Sequence, residues 1–583
     1  MAAGLLIGPV LRRVVDTRAT VWVETDAPAL VTVRAEGGGQ GAAQTFSAYG
    51  HHYALVIVEG LRPDAGAPYE VFVDGAKVWP EPDSPYPPPV IRTRPVDDSA
   101  TPVRLVFGSC RETTQHATTR RLPPDALDAY ARRLMADDST RPDVLMLLGD
   151  QVYADVISPK VKRILRKRRK PGRGRPHLDR PVDQVVTYDE YTKLYYESWR
   201  DPEIRWLLST VPSVMIFDDH EIIDDWNTSA AWRAEAKEKP WWAPRIANGL
   251  ASYWVYQHLG NLHPDEIAVD PVYTAVVAAG DGSEVLREFA VRVDTESDIA
   301  HDTPRWREAQ YQWSYALDIA GVRLVILDNR CSRVLDPARR AMLPPGEWGW
   351  FTDQATGEYD HLVVGSSLPW LLPPGIHHLE AWNERYIATA KPARAAFAEK
   401  VRRAVDLEHW AAFQRSFEDM AALFARVGQD GPGDRVGAGP AYAAPASISV
   451  LSGDVHHSYV ARVRFDSEVR TPVHQLTCSP VHKQVPAVAR PLMSLGWWRF
   501  PSSLTRALAR SAGLGRPVVH WRKLAGPYYG NAISTLVLEG RSAEVTIEGT
   551  TKDGDLKAVA RVPLVPAQRA AVETARLAAA GSA

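Results

Sequence analysis

The chain has 583 residues, of which 45% are hydrophobic and 24% charged, and its net charge at pH 7 is -2. This length predicts at least two domains, the composition is typical of globular proteins, and the near-zero charge excludes a global attraction to nucleic acid or acidic membranes. The cysteines Cys110, Cys331 and Cys478 form no CxxC pair, which excludes a disulfide scaffold and a zinc ribbon.

The start of the chain and its hydropathy predict where the protein resides. No apolar run is long enough for a membrane span, and Arg12 and Arg13 follow the first apolar stretch, whereas a secretion signal places its charges before it. Three unpaired cysteines also fit a reducing compartment. We therefore expect a cytoplasmic protein with no membrane partner.

Residues 1–98 alternate apolar and polar positions in short runs separated by Gly, Pro and Asp, which predicts a small β-sandwich domain. Leu61, Pro63 and Tyr69 resemble the corner of a fibronectin type III-like domain, in which the Tyr69 ring closes an inter-strand corner; a generic strand and turn is an equal alternative. The proline-rich run at residues 79–95 predicts a stiff linker.

Residues 99–560 contain continuous apolar runs, typical of strands buried on both faces, that alternate with stretches of helical periodicity. This alternation predicts a second, larger domain with a layered α/β core. Residues 561–583 predict a terminal helix with a frayed end.

Four of the apolar runs are followed directly by side chains that bind metals. The first ends at Cys110, and the second at Asp150, with Tyr153 three residues further on. The third leads into Asp-Asp-His-Glu at 218–221, and the fourth into Gly-Asp-Val-His-His at 453–457. One aspartate at a strand end is usually a turn or a helix cap, but four such ends together predict a metal site with oxygen, nitrogen and sulfur donors.

The ordered set G-D-x-x-Y, D-D-H-E and G-D-x-H, after a strand that ends in Ser-Cys, resembles the alkaline phosphatase D (PhoD-like) branch of the metallophosphoesterases over about residues 100–550. The segments around Asp328, Arg330 and Trp382 are also similar to middle segments of that family. The resemblance implies an α/β fold, the four-layer α/β/β/α metallophosphoesterase sandwich, behind a small β-sandwich domain.

The resemblance also implies a dinuclear metal site that holds Fe(III) and Ca²⁺. Asp150 would bridge the two cations, because one carboxylate can give an oxygen to each. The iron would be completed by Cys110, Tyr153 and His456, and the calcium held by Asp219 and Asp454. Oxygen donors favour a hard ion such as calcium at the second position.

The activity implied is the hydrolysis of phosphate monoesters or diesters by a metal-activated hydroxide. His220 would stabilise the transition state or protonate the leaving oxygen. Arg111, directly after Cys110, is a candidate phosphate clamp, with a surface role equally open. His457 is a candidate outer hydrogen bonder of the site.

Two further groups of polar residues have simpler interpretations. Asp224, Asp225 and Asn227 are candidates for an extra cation, but a helix cap at Asn227-Thr-Ser is favoured. His377 and His378 are candidate ligands of the second metal, but solvated histidines on a loop are favoured.

The basic segment, residues 160–180, contains eleven Lys or Arg and one acid, Asp179. A solvated insertion is slightly favoured over a collar that attracts polyanionic substrates. The rival interpretation of the whole chain is a nucleic-acid-associated binding protein that uses this segment. The leading prediction is a monomer that acts on phosphate-ester substrates.

Overall fold

The structure is a computed structural model that describes residues 3–98, 101–117, 122–169, 181–296, 311–429, 443–485 and 489–566. Its N-terminal part is a β-sandwich of nine strands: β1 (Leu5–Val15), β2 (Arg18–Thr25), β3 (Leu30–Ala35), β4 (Gln40–Gln44), β5 (Phe46–Ala48), β6 (His51–Val58), β7 (Gly66–Val73), β8 (Ala76–Trp79) and β9 (Val90–Arg92). One sheet has the order β1-β2-β6-β5 and the other β4-β3-β7-β8, with β9 paired to β7. Alternate valines from both sheets, such as Val21 and Val33, fill the space between them.

Tyr69 and the proline-rich run at residues 79–95 both contact the second domain. The Tyr69 hydroxyl donates to the Ser209 carbonyl at 2.6 Å in the second domain, so it does not close an inter-strand corner. In the proline-rich run, the Pro87 carbonyl accepts from the Trp206 indole at 2.9 Å, and β9 joins a sheet. The segment is therefore packed between the two domains.

The two domains share a hydrophobic core. Trp22 and Tyr53, on the outer face of the first sheet, lie in one cluster with Tyr256 of the second domain, and the Trp22 and Tyr256 rings are 5.2 Å apart. The buried Arg12 donates to the Gln257 carbonyl at 2.6 Å. The β-sandwich is thus a structural part of the larger domain.

The second domain contains two sheets. Their strands are β10 (Val103–Gly108), β11 (Val144–Leu148), β12 (Ser213–Ile216), β13 (Tyr315–Ile319), β14 (Val322–Leu327), β15 (His361–Ser366), β16 (Ser447–Ser452), β17 (Ser458–Phe465), β18 (Val473–Thr477), β19 (Val519–Tyr528), β20 (Ala532–Glu539), β21 (Ser542–Thr550) and β22 (Leu556–Val565). The six-stranded sheet has the order β12-β11-β10-β20-β21-β22 and the seven-stranded sheet β13-β14-β15-β16-β18-β17-β19. Strands β10 to β12 are parallel, as are β14, β15, β16 and β18.

Helices lie on the outer faces of both sheets. They are α1 (Ala126–Ala136), α2 (Pro159–Arg168), α3 (Tyr188–Trp199), α4 (Pro202–Thr210), α5 (Ala230–Lys237), α6 (Trp242–Tyr253), α7 (Pro264–Ile267), α8 (Pro271–Ala278), α9 (Ser283–Glu296), α10 (Pro345–Gln354), α11 (Pro374–Thr389), α12 (Pro392–Ala404), α13 (Gln414–Val427), α14 (Ala489–Leu495) and α15 (Arg499–Ser511). Every helix among the described residues is too short or too polar to span a bilayer.

Alternate side chains of each sheet sort into separate cores, which defines the layers. Phe107 of β10 and Ile326 of β14 meet in a core between the two sheets. Val106, on the opposite face of β10, packs with α1, and Val325 of β14 packs with α10 and α13. The four-layer α/β/β/α sandwich behind a β-sandwich is therefore confirmed.

Strand β22 runs to Val565 and pairs with β21, so the last sheet extends past residue 560, where the sequence predicted a boundary. The remainder of the predicted terminal helix, residues 567–583, lies outside the described residues.

Candidate metal centre

The carboxyl ends of strands from both sheets converge on one site. Cys110 follows β10, Asp150 follows β11, and Asp454 follows β16 of the other sheet. The Cys110 Sγ lies 3.3 Å from Asp150 Oδ2 and 3.6 Å from the Asp454 carbonyl oxygen. The two loops touch because residue 453 is a glycine: a Cβ there would lie 1.9 Å from the Ser109 Oγ.

Four of the predicted ligands have a backbone conformation that non-glycine residues rarely adopt. The φ angles of Cys110, Asp150, Asp454 and His456 are 58°, 56°, 63° and 52°. Each such conformation costs about 1–3 kcal/mol and persists where function requires it. The strand ends are therefore bent to direct these side chains into the site.

One half of the site, the mixed-donor side, comprises Cys110, Asp150, Tyr153 and His456. The Tyr153 hydroxyl donates to Asp150 Oδ2 at 2.9 Å, and the buried Asp150 Oδ1 has no hydrogen-bond partner in the described structure. Burial, followed by the charge of Asp150, raises the pKa of both Cys110 and Tyr153 well above their usual values.

His456 is less closely tied to the mixed-donor side. Burial, followed by the charge of Lys483, lowers the pKa of His456 well below its usual value, so the ring is neutral, as a metal ligand requires. Its Nδ1 is buried without a hydrogen-bond partner among the described residues. The structure places it two residues after Asp454, in electrostatic range of Asp454 and His220.

The other half, the carboxylate side, comprises Asp218, Asp219 and Asp454. One oxygen of each lies within 4.8 Å of the others. Asp218 Oδ2 is buried with no hydrogen-bond partner in the part of the chain described, and burial raises the pKa of Asp218 to about 7. Three clustered carboxylates of this kind require positive charge nearby.

Arg330 provides part of that charge. Its guanidinium is fully buried and bonds to Asp218 through Nε and to Glu408 through Nη1, at 2.5 Å for the second contact. Its Nη2 lies 3.4 Å from Asp219 Oδ1 and 3.8 Å from Asp454 Oδ1. The sequence placed Arg330 in a segment similar to one of the family, but it gave no sign that Arg330 contacts these carboxylates.

His220 lies between the two halves. An atom of its ring is within 4.8 Å of oxygens of Asp150 and Asp219, and its ring is 4.4 Å from that of Tyr153. Its Nδ1 lies 2.9 Å from Asp155 Oδ1. Burial lowers the pKa of His220, whereas the negative charges of Asp155 and then Asp150 raise it. The net pKa of His220 is well above its usual value.

Two more residues that sequence reasoning missed hold the loops in place. Glu221 accepts from the backbone N–H of Asp150 at 3.1 Å and of Asp218 at 2.9 Å, which joins the loops after β11 and β12. The His409 Nε2 lies 3.0 Å from Asp454 Oδ2, and its Nδ1 lies 2.7 Å from Glu380 Oε1.

Arg111 does not face the metal ligands as a phosphate clamp should. Its guanidinium is 2% exposed; Nε donates to Asp125 at 2.9 Å and Nη1 to the Ser198 hydroxyl at 2.8 Å. Both contacts hold the Arg111 side chain, although the residue follows Cys110 directly in the chain. A structural role in a buried ion pair replaces the clamp.

The group 224–227 supports Arg330. Asn227 Nδ2 donates to the Arg330 carbonyl at 3.0 Å, and the Asp225 N–H donates to Asp219 Oδ2 at 2.8 Å. Within the predicted Asn227-Thr-Ser cap, the N-cap residue of helix α5 is the serine, Ser229, whose Oγ accepts from the Trp232 N–H.

The remaining predicted histidines pack against aromatic rings. His377 and His378 lie in helix α11 and are 2% and 4% exposed, which corrects the expectation of a solvated loop. The His377 ring is 4.5 Å from that of Phe417. The His457 Nδ1 donates to the Val455 carbonyl at 2.7 Å, and the His457 ring stacks on that of Tyr459 at 5.2 Å.

Part of the basic segment is a packed helix. Val161 and Leu165 of α2 are buried, Lys162 pairs with Asp183, and Arg169 pairs with Glu190 at 2.7 Å. Residues 170–180 lie outside the described part of the chain.

The donor set fits metal cations. The Cys110 thiol and the Tyr153 phenol both contact Asp150, and Asp150 and Asp218 each have a buried oxygen without a hydrogen-bond partner among the described residues. With the neutral imidazole of His456, these groups suit a mixed site rather than a closed structural zinc site.

Two segments of the chain match known family models. Residues 106–276 match the family model described as "PhoD-like phosphatase", and residues 2–91 match "Domain of unknown function (DUF7800)". No curated protein matches the sequence significantly. The structure is similar to one titled "Structure of PhoD", with a TM-score of 0.55 and 11% identity over 97% of this chain and 94% of that chain.

A second structure, a maltogenic amylase from S. marinus, has 8% identity over 96% of this chain and 82% of that chain. Its TM-score of 0.15 carries no argument. The resemblance to PhoD-like phosphatases is thus confirmed by the match of residues 106–276, and the similarity to the structure titled "Structure of PhoD" supports the fold.

Proposed function

We propose that the protein is a metal-dependent hydrolase of phosphate esters, acting on monoesters, diesters or both. The observation that carries the proposal is the convergence of Asp150, Asp219 and His220, with ligand atoms within 4.8 Å of one another, inside the segment that matches PhoD-like phosphatases. This puts metal-binding carboxylates beside a candidate proton donor.

Two cations are proposed, Fe(III) on the mixed-donor side and Ca²⁺ on the carboxylate side. Cys110, Tyr153 and His456 would hold the first and Asp219 and Asp454 the second, with Asp150 shared. When bound, such cations neutralise phosphate oxygens and lower the pKa of a water that attacks phosphorus. Hard oxygen ligands favour calcium on the carboxylate side.

His220 supplies the proton in this proposal. Its Nδ1 is held by Asp155 at 2.9 Å, which leaves Nε2 to donate to the leaving oxygen of the ester. Burial lowers the pKa of His220, but Asp155, Asp150 and Asp219 together raise it well above the usual value, which favours the protonated imidazole. Asp155 thus orients the ring and stabilises its charged form.

Arg330 has a positioning role in this proposal. Its Nε bonds to Asp218 and its Nη1 to Glu408, and the side chain is completely buried, so Arg330 holds these two carboxylates in a fixed arrangement. The charge that substrate phosphate requires is left to the cations.

The nucleic-acid alternative gains no support from the described half of the basic segment. Lys162, Arg168 and Arg169 pair with acids of this chain, which reduces the charge available to a polyanion.

The test is metal analysis of protein purified without added metals, followed by turnover of an aryl phosphate monoester and a diester before and after chelation. We expect metal and turnover to be lost together and restored by returning the metals. Full turnover by metal-free protein would contradict the proposal. Nucleic-acid binding that falls steeply with salt, with no turnover of any ester, would favour the alternative.

A further inference from the structure

Helix α15 (Arg499–Ser511) packs with its apolar side facing outwards. The residues that it buries are small, Ser502 and Ala509. Phe500, Leu504 and Leu508 are 81%, 64% and 37% exposed. Their spacing of four residues puts all three on one face of the helix. An amphipathic helix that packs for its own stability would bury this face.

Two more exposed apolar residues lie directly before the helix in the chain. Trp498 and Leu495, just before α15, are 63% and 38% exposed. We call the set Leu495, Trp498, Phe500, Leu504 and Leu508 the apolar ridge. Continuous exposed apolar patches of this kind mark interaction sites, since single exposed hydrophobic residues are ordinary but grouped ones are not.

The surrounding chain is basic. Residues 469–538 contain no Asp or Glu, and they contain nine Lys or Arg: Arg470, Lys483, Arg490, Arg499, Arg506, Arg510, Arg516, Arg522 and Lys523. Arg499, Arg506 and Arg510 are seven and four residues apart, so they share one flank of α15 beside the ridge. Within the described residues, neither Arg499 nor Arg510 has an ion pair with a carboxylate.

We propose that the apolar ridge and its arginine flank dock the protein onto an anionic lipid bilayer, with α15 lying in the plane of the interface. Exposed Trp, Phe and Leu beside a row of arginines are the features of an interfacial helix. The arginines complement the negative surface of the bilayer. The sequence predicted no membrane partner because it has no spanning segment and a net charge near zero, whereas docking of this kind would depend on the local charge of this segment.

Other occupants fit the surface less well. A second copy of the chain would bring the same acid-free, basic surface against this one, and like charges would oppose its approach. A nucleic acid would use the arginines but leave Leu504 and Leu508 without an apolar partner.

A row of aromatic rings leads from the segment before α15 toward the candidate metal centre. The ring of Trp497, one residue before the exposed Trp498, is 5.1 Å from that of Tyr459, which stacks on His457, the neighbour of His456. Docking would hold the centre beside the lipid surface. The inference goes beyond the proposed function and is tested without turnover.

The experiment is cosedimentation of the full-length protein with vesicles of phosphatidylcholine alone and of an equimolar mixture with phosphatidylglycerol. We expect binding to the mixed vesicles only. Phe500→Ser with Leu504→Ser should weaken it by at least about tenfold, because both side chains lose apolar burial. Arg499→Ser and Arg510→Ser should each weaken it about fivefold at low salt.

The matched control is Val269→Ser, which removes an apolar side chain that is 77% exposed on another part of the surface. It should leave vesicle binding unchanged, and circular dichroism should show that every variant is folded. The proposal is overturned if mixed vesicles do not bind the wild type, or if Val269→Ser loses as much binding as the ridge variant. It is also overturned if the ridge variant instead abolishes a dimer seen by sedimentation velocity, or DNA binding in the absence of vesicles.

Discussion

The two sides of the candidate metal centre compensate buried charge in different ways. The carboxylate side contains Arg330, whose buried guanidinium bonds to Asp218 and Glu408. On the mixed-donor side, Lys483 lies 3.4 Å from the Tyr153 hydroxyl, and Asp150 Oδ1 has no hydrogen-bond partner in the described structure. An arginine is always charged, so part of the positive charge on the carboxylate side is permanent.

This difference implies that the two sides depend on metal to different extents. The carboxylate side can fold around Arg330 before any cation binds. Each side has a buried carboxylate oxygen without a hydrogen-bond partner among the described residues, Asp218 Oδ2 on one and Asp150 Oδ1 on the other. On the mixed-donor side, the buried Cys110 and Tyr153, whose pKa values are raised, must in addition lose protons to bind a cation. Substitutions that affect one side, both sides or neither test this comparison.

The largest effect is expected from Asp150→Ala, because this carboxylate is shared by both sides. The variant should lose both cations and hydrolyse phosphate esters no faster than the buffer, measured by metal analysis and a turnover assay. The control is Asp270→Ala, which removes a buried aspartate that caps helix α8 and is not a predicted ligand. This variant should keep both cations and its turnover. Near-native turnover in Asp150→Ala would contradict the shared-ligand assignment.

His220→Ala should keep both cations and lower kcat by about 10²–10⁴, the usual contribution of a general acid. Asp155→Asn should give a smaller loss in kcat and shift the pH profile, since it keeps the imidazole but removes the charge that raises its pKa. If His220→Ala releases metal, the imidazole is a ligand on one of the two sides and the proton-donor role is wrong.

Arg330→Gln tests the permanent charge of the carboxylate side. It leaves Asp218 and Glu408 buried without their cation, and we expect the free energy of unfolding to fall by about 3–5 kcal/mol, as for other broken buried pairs. Ca²⁺ should restore part of the lost Tm, because it supplies positive charge to the same carboxylates.

The matched control for that variant is Arg333→Gln. Arg333 is equally buried, but it donates to the Asn329 carbonyl at 2.6 Å and lies 3.3 Å from Glu408. Its loss should destabilise the protein without a calcium-dependent recovery. Equal recovery in both variants would show that Ca²⁺ acts elsewhere on the fold.

The candidate site residues that could be predicted from the sequence are those that directly follow a strand. Cys110, Asp150 and Asp454 follow buried strands directly, and parallel strands bring their carboxyl ends to one edge. The layered fold followed from the same apolar runs. Nothing in the sequence indicated that Arg111 donates to Asp125 and Ser198, because a position next to Cys110 does not fix the direction of the side chain.

The supporting residues could not be predicted in this way. Arg330 and Asp218 are 112 residues apart, and His220 and Asp155 are 65 apart, with no local pattern that relates them. Only tertiary packing brings them together. The outward face of α15 was missed for a related reason: its periodicity predicts a helix equally well whether the apolar side is buried or exposed.

The smallest effect on turnover is expected from Tyr153→Phe, which changes the mixed-donor side alone. A phenolate bound to Fe(III) gives a charge-transfer band in the visible, and the Cys110 thiolate should add intensity. Purified holoprotein should therefore be coloured and bleach on reduction with dithionite. Tyr153→Phe should shift or remove the band and lower kcat by less than about tenfold, with less metal loss than in Asp150→Ala.

The alternative for Tyr153 is that its hydroxyl only donates to Asp150, as it does at 2.9 Å in the structure. Tyr153→Phe would then lose one hydrogen bond and leave the spectrum unchanged. Zn²⁺ has a filled d shell, so a zinc site with these ligands would be colourless. A colourless, fully active protein without iron would thus overturn the metal assignment of the mixed-donor side, whereas Arg330 and the carboxylate side would keep their roles in the hydrolysis of phosphate esters.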